Sequence, residues 1–252
     1  MKRIYILIVL MVVAICLKAQ STENQEFAKA NFYYNESKYD TALVIYEGIL
    51  NDGFISAPLL YNIGNTYFKM RNYPMAILNY EKALKIDPTN DEIRQNLAIA
   101  NSLITDRITP MPVLFLTKWW RSLGNMFTAN GWATITIILL GILLLLLFVY
   151  FTARTSGAKK ASFFTSIFVF IILIISIIIS IQKYNYLNSH NEAIIIKPTI
   201  TVKSSPSSTG VDLFVLHEGT KVTIIDRDAD WNEIKIADGS VGWLPSSSSI
   251  EY

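Results

Sequence analysis

The chain has 252 residues, 52% of them hydrophobic, with a mean hydropathy of +0.34 and a formal charge of +2. That is too apolar for an ordinary soluble protein, and 17% charged residues fall short of the ~25% such proteins carry. One cysteine, Cys16, excludes a disulfide framework or a cysteine metal site, and two histidines, His190 and His217, argue against a histidine metal cluster or a Ser-His-Asp triad.

Charge is segregated along the chain. Residues 21–107 hold 8 basic and 11 acidic side chains, and residues 192–252 hold 5 and 9. Between them, residues 108–191 carry Lys118, Arg121, Arg154, Lys159, Lys160 and Lys183 and no acid. Neither acidic region offers the basic face of a nucleic-acid binder, so no nucleic-acid partner is expected.

Residues 1–19 read as a signal peptide: a basic Met1-Lys2-Arg3, an apolar run from Ile4 to Leu17, and a cleavage junction at Ala19-Gln20. Leu17 is larger than a cleavage site prefers, and an uncleaved anchor gives the same topology downstream. Ile15 stands before Cys16 where a lipobox needs a small residue.

A repeat follows. Lys38-Tyr39-Asp40-Thr41-Ala42-Leu43-Val44-Ile45-Tyr46-Glu47 returns 34 residues later as Asn72-Tyr73-Pro74-Met75-Ala76-Ile77-Leu78-Asn79-Tyr80-Glu81. The same offset pairs Ala30 with Gly64, Tyr33 with Tyr67 and Tyr46 with Tyr80. Small residues recur where paired helices cross, aromatics recur beside them, and Pro88 closes the second unit. This pattern resembles the tetratricopeptide repeat, with two units over residues 23–90 and a capping helix after them, an all-α solenoid over 21–107. The resemblance implies a concave groove lined by the first helix of each pair. Its protein-binding residues would be Phe27, Asn31, Tyr34, Tyr61, Asn65, Phe68, Lys69 and Gln95, with Ile99 beside them. Asparagine amides there suit an extended peptide backbone, since each both donates and accepts. Phe27 and Glu92 stand where the family's carboxylate clamp has lysines, so capture of a peptide C-terminus is not implied. Packing of some of these side chains against another segment of the same protein is the alternative.

Residues 112–128 place Leu116, Trp119, Trp120, Leu123 and Phe127 at helical spacing, with Lys118, Arg121, Ser122 and Asn125 elsewhere. This reads as an amphipathic helix in the membrane interface, with Trp119, Trp120 and Trp132 at headgroup level; a soluble helix on the repeat region is the alternative. Residues 132–151 and 161–182 are uncharged apolar runs long enough to cross a bilayer. The loop expected between them, 152–160, has three cations and no acid, which places it in the cytoplasm and both soluble regions outside. Neither run contains an Asp, Glu, Lys, Arg or His, which argues against a transporter.

The last region, 193–252, reads as β-rich. Phe214–Ile225 suggests strand, turn, strand; Trp231–Ile236 alternates with period two; Ala237-Asp238-Gly239-Ser240 suggests a hairpin turn before Val241-Gly242-Trp243-Leu244-Pro245. It resembles a bacterial SH3 (SH3b) domain, which implies a small all-β SH3-like barrel with Trp243 packed in it. His217 is expected at a strand end on the surface.

The expected protein is thus a multidomain membrane protein: signal peptide, repeats, interfacial helix, two-helix transmembrane hairpin and SH3b domain. That order resembles the Bacteroides aerotolerance (Bat) family, in its BatE type. The resemblance implies a multi-pass inner-membrane protein with both soluble domains periplasmic. Its implied partners are membrane proteins with von Willebrand A domains, other Bat-type proteins and a cytoplasmic MoxR-type ATPase. No nucleophile–base pair, metal-ligand spacing or phosphate loop occurs, so no catalytic, cofactor or metal residue is expected. The function expected is a non-enzymatic scaffold for an envelope stress or aerotolerance complex. The alternative is a membrane-anchored protein that binds peptidoglycan through its SH3b domain.

Overall fold

The computed structural model describes residues 25–252, and the expected signal peptide lies outside the described residues. The chain divides into two compact units. One joins the repeat region up to Ala83 and Asp91–Pro110 to Asn191–Tyr252; the other joins Leu84–Asn90 to Met111–His190.

In the first unit the repeats form helical pairs: α1 (residues 25–35) with α2 (Tyr39–Asn51), α3 (Ala57–Lys69) with α4 (Tyr73–Ile86), and then a single helix, α5 (Asp91–Ser102). Helix α3 starts where Ser56 caps the amide of Leu59 and Pro58 occupies the first turn, where its missing N–H costs nothing. Helices α1 and α3 end alike. Ser37 and Arg71 both adopt the left-handed conformation, at φ 60° and 62°. The following amides, of Lys38 and Asn72, donate back to Tyr33 and Tyr67, which closes each helix with six-to-one bonds. Ala30, Ala42, Ala76 and Ala83 are fully buried at the helix crossings. At Gly64 a Cβ would lie 2.7 Å from the Tyr80 ring, so only glycine admits that crossing.

Among the described residues the same unit holds seven antiparallel strands: β1 (Glu192–Ile195), β2 (Thr199–Lys203), β3 (Asp212–His217), β4 (Lys221–Asp228), β5 (Trp231–Lys235), β6 (Val241–Pro245) and β7 (Ser249–Glu251). They form one sheet in the order β3-β2-β6-β5-β4-β1-β7. Ala193, Ile195, Val202, Leu216, Val222, Ile234 and Leu244 build its core by alternation. Every strand region expected from the sequence is present, but the expected barrel is not closed. The edge strands β3 and β7 do not pair, and β2 meets β6 only at Lys203 opposite Trp243.

The second unit contains α6 (Phe115–Gly124), α7 (Ala129–Thr152) and α8 (Ser156–Asn188). Helices α7 and α8 are each long and apolar enough to cross a membrane. They pack as a hairpin along a buried face of α8 that joins Ser162, Ser166 and Ser176 to Val169, Leu173 and Ile179. Ser162 donates to the carbonyl of Leu146, and Ser176 shares a 2.7 Å hydrogen bond with Thr136. Both helices outrun the apolar segments read from the sequence. Thr128 and Thr155 cap them, and α8 runs on through Gly157, so Lys159 and Lys160 lie on α8. The expected 152–160 loop shrinks to Ala153–Thr155.

Candidate functional site

The groove residues come together chiefly around the second repeat. A cavity of about 300 Å³ is lined by Tyr34 of α1, Tyr61, Asn65, Phe68 and Lys69 of α3, Tyr80 of α4, and Asn96 and Ile99 of α5. Phe27, Asn31 and Gln95 lie outside this lining. Phe27 instead packs its ring 5.9 Å from that of Tyr46, and Gln95 is exposed.

Two hydrogen-bond triads, 34 residues apart, set the geometry. Asn31 Oδ1 accepts from the Tyr46 hydroxyl at 2.5 Å and from Asn62 Nδ2 at 2.9 Å. Asn65 Oδ1 accepts from the Tyr80 hydroxyl at 2.7 Å and from Asn96 Nδ2 at 3.0 Å. Each triad ties the first helix of a pair to its second helix and to the first helix of the next. The rings repeat too: Phe27 on Tyr46 matches Tyr61 on Tyr80, and Tyr34 on Tyr39 matches Phe68 on Tyr73.

These bonds decide what the amides do. The carbonyl oxygen of each groove asparagine is spent inside the protein, so neither amide is free to both donate and accept. Among the described residues, no acceptor meets Asn65 Nδ2. The Tyr61 hydroxyl accepts from Asn96 Nδ2 at 2.9 Å and keeps its own proton to donate. Burial pushes the Tyr46 hydroxyl up to about 12, partly offset by the nearby Asn62 amide, and burial likewise raises Tyr80 and Tyr34. These phenols therefore remain neutral O–H donors. Lys69 adds an exposed cation, and among the described residues no carboxylate lines the cavity.

Tyr80 and Asn96 belong to this site and were not singled out as groove residues from the sequence. The signal was available: Asn62 recurs as Asn96 at the 34-residue offset, as Asn31 recurs as Asn65.

The three tryptophans expected at a membrane interface take different positions in the second unit. Trp119 is exposed. The Trp120 indole donates to Gln182 of α8 at 2.9 Å. Trp132 is buried, with its indole donating to the carbonyl of Gly124 at 2.9 Å and its ring edge-on to Phe127. Helix α6 is thereby held to the α7–α8 hairpin.

Comparison with known families places the tetratricopeptide repeat on residues 57–90, which is the α3–α4 pair with its closing segment. No curated protein matches the chain. The repeat defines a class that generally mediates contacts between proteins.

Proposed function

We propose that the protein is a non-enzymatic scaffold held in the inner membrane by the α7–α8 hairpin, and that its groove binds an extended, acceptor-rich segment of a partner protein bearing an acidic side chain. The cavity chemistry carries this reading. Asn65 Nδ2, the hydroxyls of Tyr34 and Tyr61, and Lys69 are all donors, set beside the apolar surfaces of Phe68 and Ile99. Backbone carbonyls and a single carboxylate satisfy such a set; a cation or a donor-rich ligand does not.

The apolar outward faces of the hairpin support membrane anchoring. Ile137, Leu144, Leu145 and Phe148 on α7, and Phe164, Phe168 and Ile181 on α8, are all exposed, far beyond the patches a soluble surface tolerates. Arg154, Lys159 and Lys160 at the turn favour a cytoplasmic turn. Exposed Phe115, Leu116 and Trp119 on α6 suit the interface. The β domain, with Trp231 and Trp243 on neighbouring strands, fits an SH3b reading. The whole order fits a BatE-type member of the Bat family, whose von Willebrand A-domain membrane proteins would be the partners.

A photo-crosslinker at Ile99, which is exposed beside the cavity, tests the groove in intact membranes; the control is Val44, exposed on α2. The expected result is a discrete adduct at position 99 only, reduced roughly tenfold by Lys69→Glu, the loss that follows from about 1.4 kcal/mol of binding energy. Equal trapping at both positions, or indifference to Lys69→Glu, rules out the groove as the docking site.

A further inference from the structure

Two and a half repeats fall short of the roughly three that a free solenoid needs, and solenoid ends need caps. We infer that the β domain is the C-terminal cap of the repeat solenoid, docked in cis on α4 and on the segment after α5, so that the groove wall and the sheet open as one cooperative body.

Polar contacts carry the first part of this inference. Asp106 follows α5. Its Oδ2 accepts from the His217 backbone amide at 2.8 Å and from the Thr220 hydroxyl at 2.7 Å, and its Oδ1 lies 2.7 Å from His217 Nδ1. This carboxylate is only 13% exposed. Burial disfavours its charge, but the bonds from Thr220 and His217 outweigh burial and hold the carboxyl below its ordinary value. Lys221 forms a second link. It meets Glu81 of α4 at 2.9 Å and Glu192 of β1 at 3.0 Å, with its ammonium over the Tyr252 ring.

Apolar contacts carry the second part. Ile108 packs against the sheet's core. The turn at Gly219 receives Ile104 and Ile77: a Cβ there would lie 2.5 Å from Ile104 and 3.4 Å from Ile77, and φ is +88°. Glycine therefore meets two demands at once, a left-handed turn and a close approach. The repeat itself supplies the control. Leu43 on α2 is the counterpart of Ile77, and it stays half-buried while Ile77 is fully covered. The sheet therefore covers Ile77 more fully than the following repeat covers Leu43.

The same helices face both ways. Helix α4 gives Tyr80 to the cavity and Ile77 and Glu81 to the sheet. Helix α5 gives Asn96 and Ile99 to the cavity, and its continuation gives Ile104, Asp106 and Ile108 to the sheet.

Hydrogen exchange on the full chain in detergent micelles, along a urea series, tests the coupling. In the wild type, peptides from 73–83, 91–102 and 212–228 are expected to open together. Asp106→Ala, and independently Lys221→Met, should raise exchange in all three by about tenfold, as loss of a shared opening energy requires. Because Lys221 is partly exposed and lies on the sheet, its variant tests coupling without altering the repeat sequence. The inference is overturned if 73–83 and 91–102 keep wild-type exchange in both variants, whether or not the sheet peptides loosen.

Discussion

Tyr46 and Tyr80 do the same work 34 residues apart, each donating to an asparagine oxygen while almost fully buried. Removing either hydroxyl leaves that oxygen one donor short. Tyr46→Phe and Tyr80→Phe should therefore cost similar amounts, about 0.5–1.5 kcal/mol each, in urea melts followed by circular dichroism. A large difference between them would mean that the two triads are not equivalent. Asp106 adds a pH dependence with a definite sign. Its folded value lies below the ordinary 3.8, so its stabilising contribution is present above 3.8 and is lost as pH falls through the lower folded value. The stability gap between wild type and Asp106→Asn should thus shrink as a melt series descends past that point. At this scale the sequence was half legible. Spacing exposed the recurring asparagines and tyrosines, but not that the amide oxygens are spent on one another. Asp106 and His217 lie 111 residues apart, and no periodicity links them.

Among the elements, helices were the most legible, because small and aromatic residues mark both the period and the crossings. The Gly64 crossing is tight, with the Tyr80 ring and the Ala76 carbonyl oxygen both against it. Gly64→Leu should cost roughly 1–3 kcal/mol or more of stability, read as a lower urea midpoint, since neither neighbour is free to retreat. An unchanged midpoint would contradict the crossing. Helix ends were less legible than helix centres. Apolarity stops at 151 and resumes at 161, yet the backbone is governed by the capping threonines, Thr128 and Thr155, which lie outside the apolar runs. Strands were legible individually from alternation. Closure of the sheet was not, because it depends on which distant edges meet.

On the scale of the molecule, the repeat region and the sheet share one unit although two apolar helices separate them in sequence. A pair of membrane crossings returns the chain to the side it left, so the proposed topology and the packing agree. A phosphatase reporter fused after Tyr252 is expected to be active outside the cytoplasm, and one fused after Gly157 inactive. The reverse result would invert the orientation, and activity at both positions would remove the hairpin from the membrane.

The interrupted first unit also fixes an order of events during synthesis. The repeats emerge first, but the strands that cover Ile77 and hold Asp106 are made only after residues 111–190. At ordinary elongation rates that interval is on the order of ten seconds. Through it the solenoid's far end waits uncovered, with apolar side chains bare to any protease or chaperone nearby. Chains that stall within the hairpin would keep that end uncovered, because the strands that close it are never made.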